Sequence, residues 1–113
     1  MSPNQVIDDF FVITNGQSLT LQLLRGRVES AGTGKSVRIE LFYDPLGGNP
    51  SGPANNQPAS WERIDTLMGN NFNQDAAQGR VVVGDGTSRV VLRLQQTGSS
   101  AMAVEGIWVG FEI

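Results

Sequence analysis

With 113 residues, a hydrophobic fraction of 39% and 14 glycines besides, the chain has the composition of one folded domain rather than a disordered segment. A formal charge of -3, with eight basic residues scattered along the chain, gives no attractive field for a phosphate backbone, so nucleic acid is not an expected partner. The absence of Cys and His removes disulfides, thiolate metal sites, a cysteine nucleophile and the commonest general base.

The opening residues, MSPNQVIDDFF, lack the basic start and apolar run of a signal peptide, and no later segment approaches the roughly 20 apolar residues that span a bilayer. The expectation is cytoplasmic synthesis, no membrane partner and a polar N-terminal arm over residues 1–6. From Phe10 to Leu24, FFVITNGQSLTLQLL places apolar residues on both sides of Asn15-Gly16, a dipeptide suited to the positive φ of a tight turn, which predicts a hairpin. In its second arm Leu19, Leu21 and Leu23 alternate with Thr20 and Gln22, the period of a half-buried strand.

The stretch from Glu29 to Ser36 has turn composition, and VRIELFY then sets Val37, Ile39, Leu41 and Tyr43 on one face of a strand and Arg38 and Glu40 on the other. Residues 45–60 are rich in Pro and Gly and predict one long loop, a kind of segment that is often functional or disordered. WERIDTLM, from Trp61, reads as a strand in preference to a short helix, and the following GNNFNQDAAQG reads as loop around Phe72. RVVVGDGTSRVVLRLQ predicts a second hairpin about Gly84-Asp85-Gly86, with Val90, Leu92 and Leu94 inward and Arg89 and Arg93 outward. In the last stretch, Ile107, Val109, Phe111 and Ile113 alternate with Gly106, Trp108, Gly110 and Glu112, a terminal strand tied into a sheet. Seven or eight strands without a helix predict an all-β, jelly-roll-like antiparallel β-sandwich spanning residues 1–113 as one domain.

Three kinds of chemistry compete with plain turn and core roles for these residues. Gly32-Thr33-Gly34-Lys35-Ser36 matches the end of a phosphate-binding loop, but Glu29 stands where the first glycine belongs and a strand, not a helix, is expected next. Asp8, Asp9, Asp44, Asp65, Asp75 and Asp85 fall at expected strand ends and turns, where Asp is favoured for local hydrogen bonds; paired-carboxylate catalysis would require two of them to converge. NNFNQD and GDGTS carry oxygen ligands without the spacing of a dedicated calcium loop. No catalytic residue, metal ligand or cofactor is therefore expected. Trp61 and Trp108 have two readings, core side chains or exposed aromatic faces for a sugar or a protein, and Gly106 and Gly110 leave space around Trp108 for close approach of a neighbouring backbone or subunit.

The succession TNGQSLTLQL, SVRIELFYDP, a loop, SWERIDTL and EGIWVGFEI resembles the small all-β accessory proteins of tailed bacteriophage virions. The resemblance implies a non-enzymatic capsid decoration or cement protein on the outer shell, often trimeric, with the major capsid protein and copies of itself as partners. The contact residues expected under that reading are Pro3, Asn4 and Gln5 in the arm, Pro50, Pro53 and Asn55 in the loop, and Trp61 and Trp108. The alternative is a carbohydrate- or receptor-binding module of a phage tail or fibre, with Trp61 or Trp108 as a sugar platform.

Overall fold

The computed structural model describes residues 1–2, 5–28, 36–47, 60–69, 72–77 and 79–113. Their elements are eight strands: β1 (Val6–Val12), β2 (Ser18–Val28), β3 (Val37–Asp44), β4 (Glu62–Gly69), β5 (Phe72–Ala77), β6 (Val81–Val83), β7 (Arg89–Gln96) and β8 (Val104–Glu112). All pair antiparallel, in two sheets. The first sheet runs β1-β7-β3-β4. In the second, β8 pairs along β2 from Leu19 to Val28, and β5 and β6 share the other edge of β2 end to end. The all-β antiparallel sandwich expected from the periodicity is the fold observed.

The core lies between the sheets and follows the period-2 pattern. Val37, Ile39 and Leu41 of β3 and Val90 and Leu92 of β7 meet Leu19, Leu21, Leu24 and Val28 of β2, with Ile13, Leu67, Val82 and Met102 closing the cluster. Leu94 and Tyr43 pack against it half-buried, as their place in the alternation requires, and the Tyr43 hydroxyl donates to the Val83 carbonyl across the sheets (3.0 Å). In β2 the alternation breaks at Gln22, where a β-bulge between Leu21 and Leu23 hands the inward position from Leu23 to Leu24.

Neither predicted hairpin forms. β1 and β2 lie in different sheets, as do β6 and β7, so Asn15-Gly16 and Gly84-Asp85-Gly86 turn the chain between sheets rather than between paired neighbours. The two crossings hold each other: Gly16 N donates to Gly84 O (3.1 Å), Gly84 N to Gln17 O (2.9 Å) and Ile13 N to Ser88 O (2.9 Å). Gly84 must lack a side chain, because a Cβ would stand 2.3 Å from the Thr14 carbonyl oxygen. The segment expected to be loop around Phe72 is instead β5, paired with Leu23–Val28. WERIDTLM forms β4 from Glu62, as expected. Of the phosphate-loop candidate only Ser36 is among the described residues; its carbonyl accepts from Thr97 N, and β3 follows directly.

Candidate interaction surface

Each sheet also has an outer face, and the two differ in kind. On the first sheet Arg89, Val91, Arg93 and Gln95 of β7 stand beside Asp44, Phe42, Glu40 and Arg38 of β3. This face carries a second apolar cluster of Phe42, Trp61 and Val91, against which Phe10 packs. Arginines bridge it. Arg93, 2% exposed, grips Asp8 with Nε and one terminal nitrogen (2.8 and 3.0 Å) and lies over the Trp61 ring at 5.1 Å. Arg89 pairs with the fully buried Asp44 (2.9 Å) and stacks on Phe10 at 4.2 Å. Arg63 reaches Glu40 (2.8 Å) and Arg80 reaches Glu62 (2.6 Å), so these four carboxylates are each occupied by an arginine. The Arg80 hydrogen bond is the main reason the Glu62 carboxyl lies below its ordinary range. Both Arg89 and Arg93 leave the core side as expected, yet Arg93 is buried and Arg89 half-buried within this aromatic and acidic layer rather than free in solvent.

The outer face of the second sheet is apolar and open. In β8, Gly106, Trp108 and Gly110 point inward. A Cβ on Gly106 would come within 2.7 Å of Leu94 Cδ2 in the opposing sheet, and the Trp108 indole packs on the core and edge-on to Phe11 with centroids 5.4 Å apart. The space beside Trp108 is thus filled by the chain itself, by the opposite sheet at Gly106 and by Thr20 and Leu19 of β2 at Gly110. Ile107, Val109, Phe111 and Ile113 consequently turn out, each at least 42% exposed.

Register extends this stripe into a patch. Directly opposed residues of paired strands share a face. Phe111 is opposite Thr20, which is opposite Val81; Val109 is opposite Leu23. Ser18 exchanges both backbone hydrogen bonds with Ile113 (2.9 and 3.0 Å) and stands opposite Val83. Val81 and Val83 are 52% and 62% exposed. The patch therefore runs across β6, β2 and β8 with Ser18, Thr20 and the exposed bulge residue Gln22 as its uncharged polar members on β2, and its first charged neighbour along the rows is Arg25, opposite Ile107.

The residues singled out from the sequence lie elsewhere. Pro3, Asn4, Pro50, Pro53 and Asn55 lie outside the described residues. Gln5 is exposed and its carbonyl accepts from Gln96 N, while Met1 exchanges backbone hydrogen bonds with Met102 and packs on the core, so the described part of the arm is held by the chain itself. Trp61 is 3% exposed, and Trp108 is half-buried with its indole turned inward. Ile107, Val109, Phe111, Ile113, Val81 and Val83 were not singled out. The signal for four of them was the pair of glycines flanking Trp108, since the residue that two glycines make room for marks the inward side and leaves the larger aliphatics outside.

The GDGTS turn carries the one strongly shifted carboxyl among the described residues. Asp85 accepts from Ser88 N (2.7 Å), Thr87 N (2.9 Å) and Thr87 Oγ1 (2.9 Å), and these bonds hold its pKa down at about 2. It acts as an anchor for the crossing, with the calcium-ligand reading replaced by bonds to its own turn. Among the described residues no three acidic side chains gather as a metal site, and no helix is long and apolar enough to cross a membrane. Compared with known protein families, curated proteins and solved structures, the chain matches none.

Proposed function

We propose that this protein is a non-enzymatic structural protein that acts by docking through the outer face of its second sheet, as a decoration protein on the outer capsid surface of a tailed bacteriophage. The observation that supports docking is the apolar patch across β6, β2 and β8, whose centre holds no charge. An exposed sheet face of this composition costs solubility unless a partner covers it. The virion setting comes from the sequence resemblance, with the major capsid protein and copies of the chain itself as partners. A sugar platform needs an open indole, and Trp61 is buried while Trp108 turns inward, which favours docking over carbohydrate binding.

The test is co-expression with the major capsid protein of a tailed bacteriophage that carries this chain, followed by sedimentation of the assembled shells. The expected result is that the chain travels with the shells and that Val109→Asp leaves it in the supernatant. Wild-type protein that stays unbound at saturating concentration contradicts the proposal.

A further inference from the structure

We infer that the occupant of the apolar patch in the free protein is a second copy of the same chain, packed face to face about a two-fold axis. This rests on the reading of that face as a docking surface and names its partner. Three observations carry it.

The first is size. Six apolar side chains, Val81, Val83, Ile107, Val109, Phe111 and Ile113, are 42–74% exposed. At something on the order of 100 Å² apiece they form a patch of roughly 500–600 Å², the upper end of what single chains leave uncovered. Two such patches brought together bury about 1,000–1,200 Å² before any rim is counted, which reaches the size of a specific interface. The second is charge. A net charge of -3 on each copy opposes self-association in general, but the rows Val83-Ser18-Ile113 and Val81-Thr20-Phe111 carry none, so apposing the patch to itself sets no like charges in contact at its centre.

The third is shape and symmetry. The patch is the face of a sheet, and sheet faces stack on one another about 10 Å apart with their side chains interdigitated, as the two sheets inside this chain already do. A two-fold contact uses the same patch on both partners and closes, whereas a trimer requires two different complementary patches. The outer face of the first sheet is a poor second patch, because its aromatic and arginine layer is already buried and paired. The product is a four-layer stack with the two second sheets at its centre.

The experiment is sedimentation equilibrium of the full chain over a wide concentration range, with Val109→Asp and Val83→Glu as separate variants checked for native circular dichroism. The expected result is twice the chain mass of 12.1 kDa for the wild type and a single chain for each variant at the same concentrations. Two variants on different strands guard against one of them failing to fold. A three-chain mass, or a dimer that survives both substitutions, overturns the inference. A wild-type monomer at every concentration also overturns it, and shell sedimentation then separates the two claims. If Val109→Asp no longer travels with shells, the docking reading stands without the pairing; if it still does, both fall.

Discussion

Asp85 shows how a single residue holds the turn that carries the chain from one sheet to the other. Its folded pKa of about 2, against an ordinary 3.8, means that the unfolded chain binds the proton more readily between those values. The contribution of Asp85 to stability is therefore fully present above 3.8 and is lost as pH falls toward about 2. Asp85→Ala is predicted to lower the denaturation midpoint at neutral pH, with the gap to wild type closing over that acid window when urea melts are repeated down the pH scale. A gap of constant size at all pH values would show that the carboxylate charge is not what the turn uses. Arg93 poses the opposite problem, a cation 2% exposed whose carboxylate partner is Asp8 at 2.8 Å. Asp8→Ala removes the carboxylate that grips this buried cation through two hydrogen bonds and is expected to cost about 3 kcal/mol, whereas Asp8→Leu with Arg93→Met is expected to recover most of that loss, because a buried pair is worth little more than good apolar packing. Equal losses for both proteins in urea unfolding would contradict this account of the layer over the first sheet.

At the scale of elements, the strands with apolar alternation were legible and their pairing was not. VRIELFY forms β3 as read, because its alternation survives at both faces: Val37, Ile39 and Leu41 enter the core while Arg38 and Glu40 turn away. Asn15-Gly16 and Gly84-Asp85-Gly86 announced turns correctly, and Gly16 and Gly86 do adopt positive φ of 79° and 88°. Turn chemistry is local, however, and does not say whether the next strand returns beside the last or crosses to the other sheet; that choice is made by distant partners such as β7 for β1. β5 was invisible because FNQDAA has no apolar alternation and is drawn into the sheet by hydrogen bonding along the edge of β2. The bulge at Gln22 was hidden for a related reason, since it shows only as a slip of register against β8. The patch was half legible: the period in β8 separated two faces, but the inward one had to be decided by Gly106 and Gly110. The paired crossings yield a prediction of their own. Gly84→Ala, whose methyl would meet the Thr14 carbonyl at 2.3 Å, is expected to destabilise the fold by about 1–3 kcal/mol, and Gly79→Ala, with nothing within 4 Å, by less than about 0.5 kcal/mol. Thermal melts of the two variants side by side check this, and equal melting temperatures would contradict the close approach of the crossings.

For the whole molecule, the two outer faces divide the work. One is sealed by Trp61, Phe42 and Phe10 with their arginines, and the other presents aliphatic and aromatic side chains on a long edge strand, the kind of surface that soluble proteins usually protect. The asymmetry predicts that substitutions of equal chemistry have unequal effects. Met68 is 57% exposed on β4 and Val109 is 42% exposed on β8, so an aspartate at either position is compatible with the fold, but only the second falls on the docking face. The most direct measurement is the solution mass of wild type, Met68→Asp and Val109→Asp by light scattering at matched concentrations. Two chains are expected for the first two proteins and one for Val109→Asp; the same mass for all three would contradict pairing through the outer face of the second sheet.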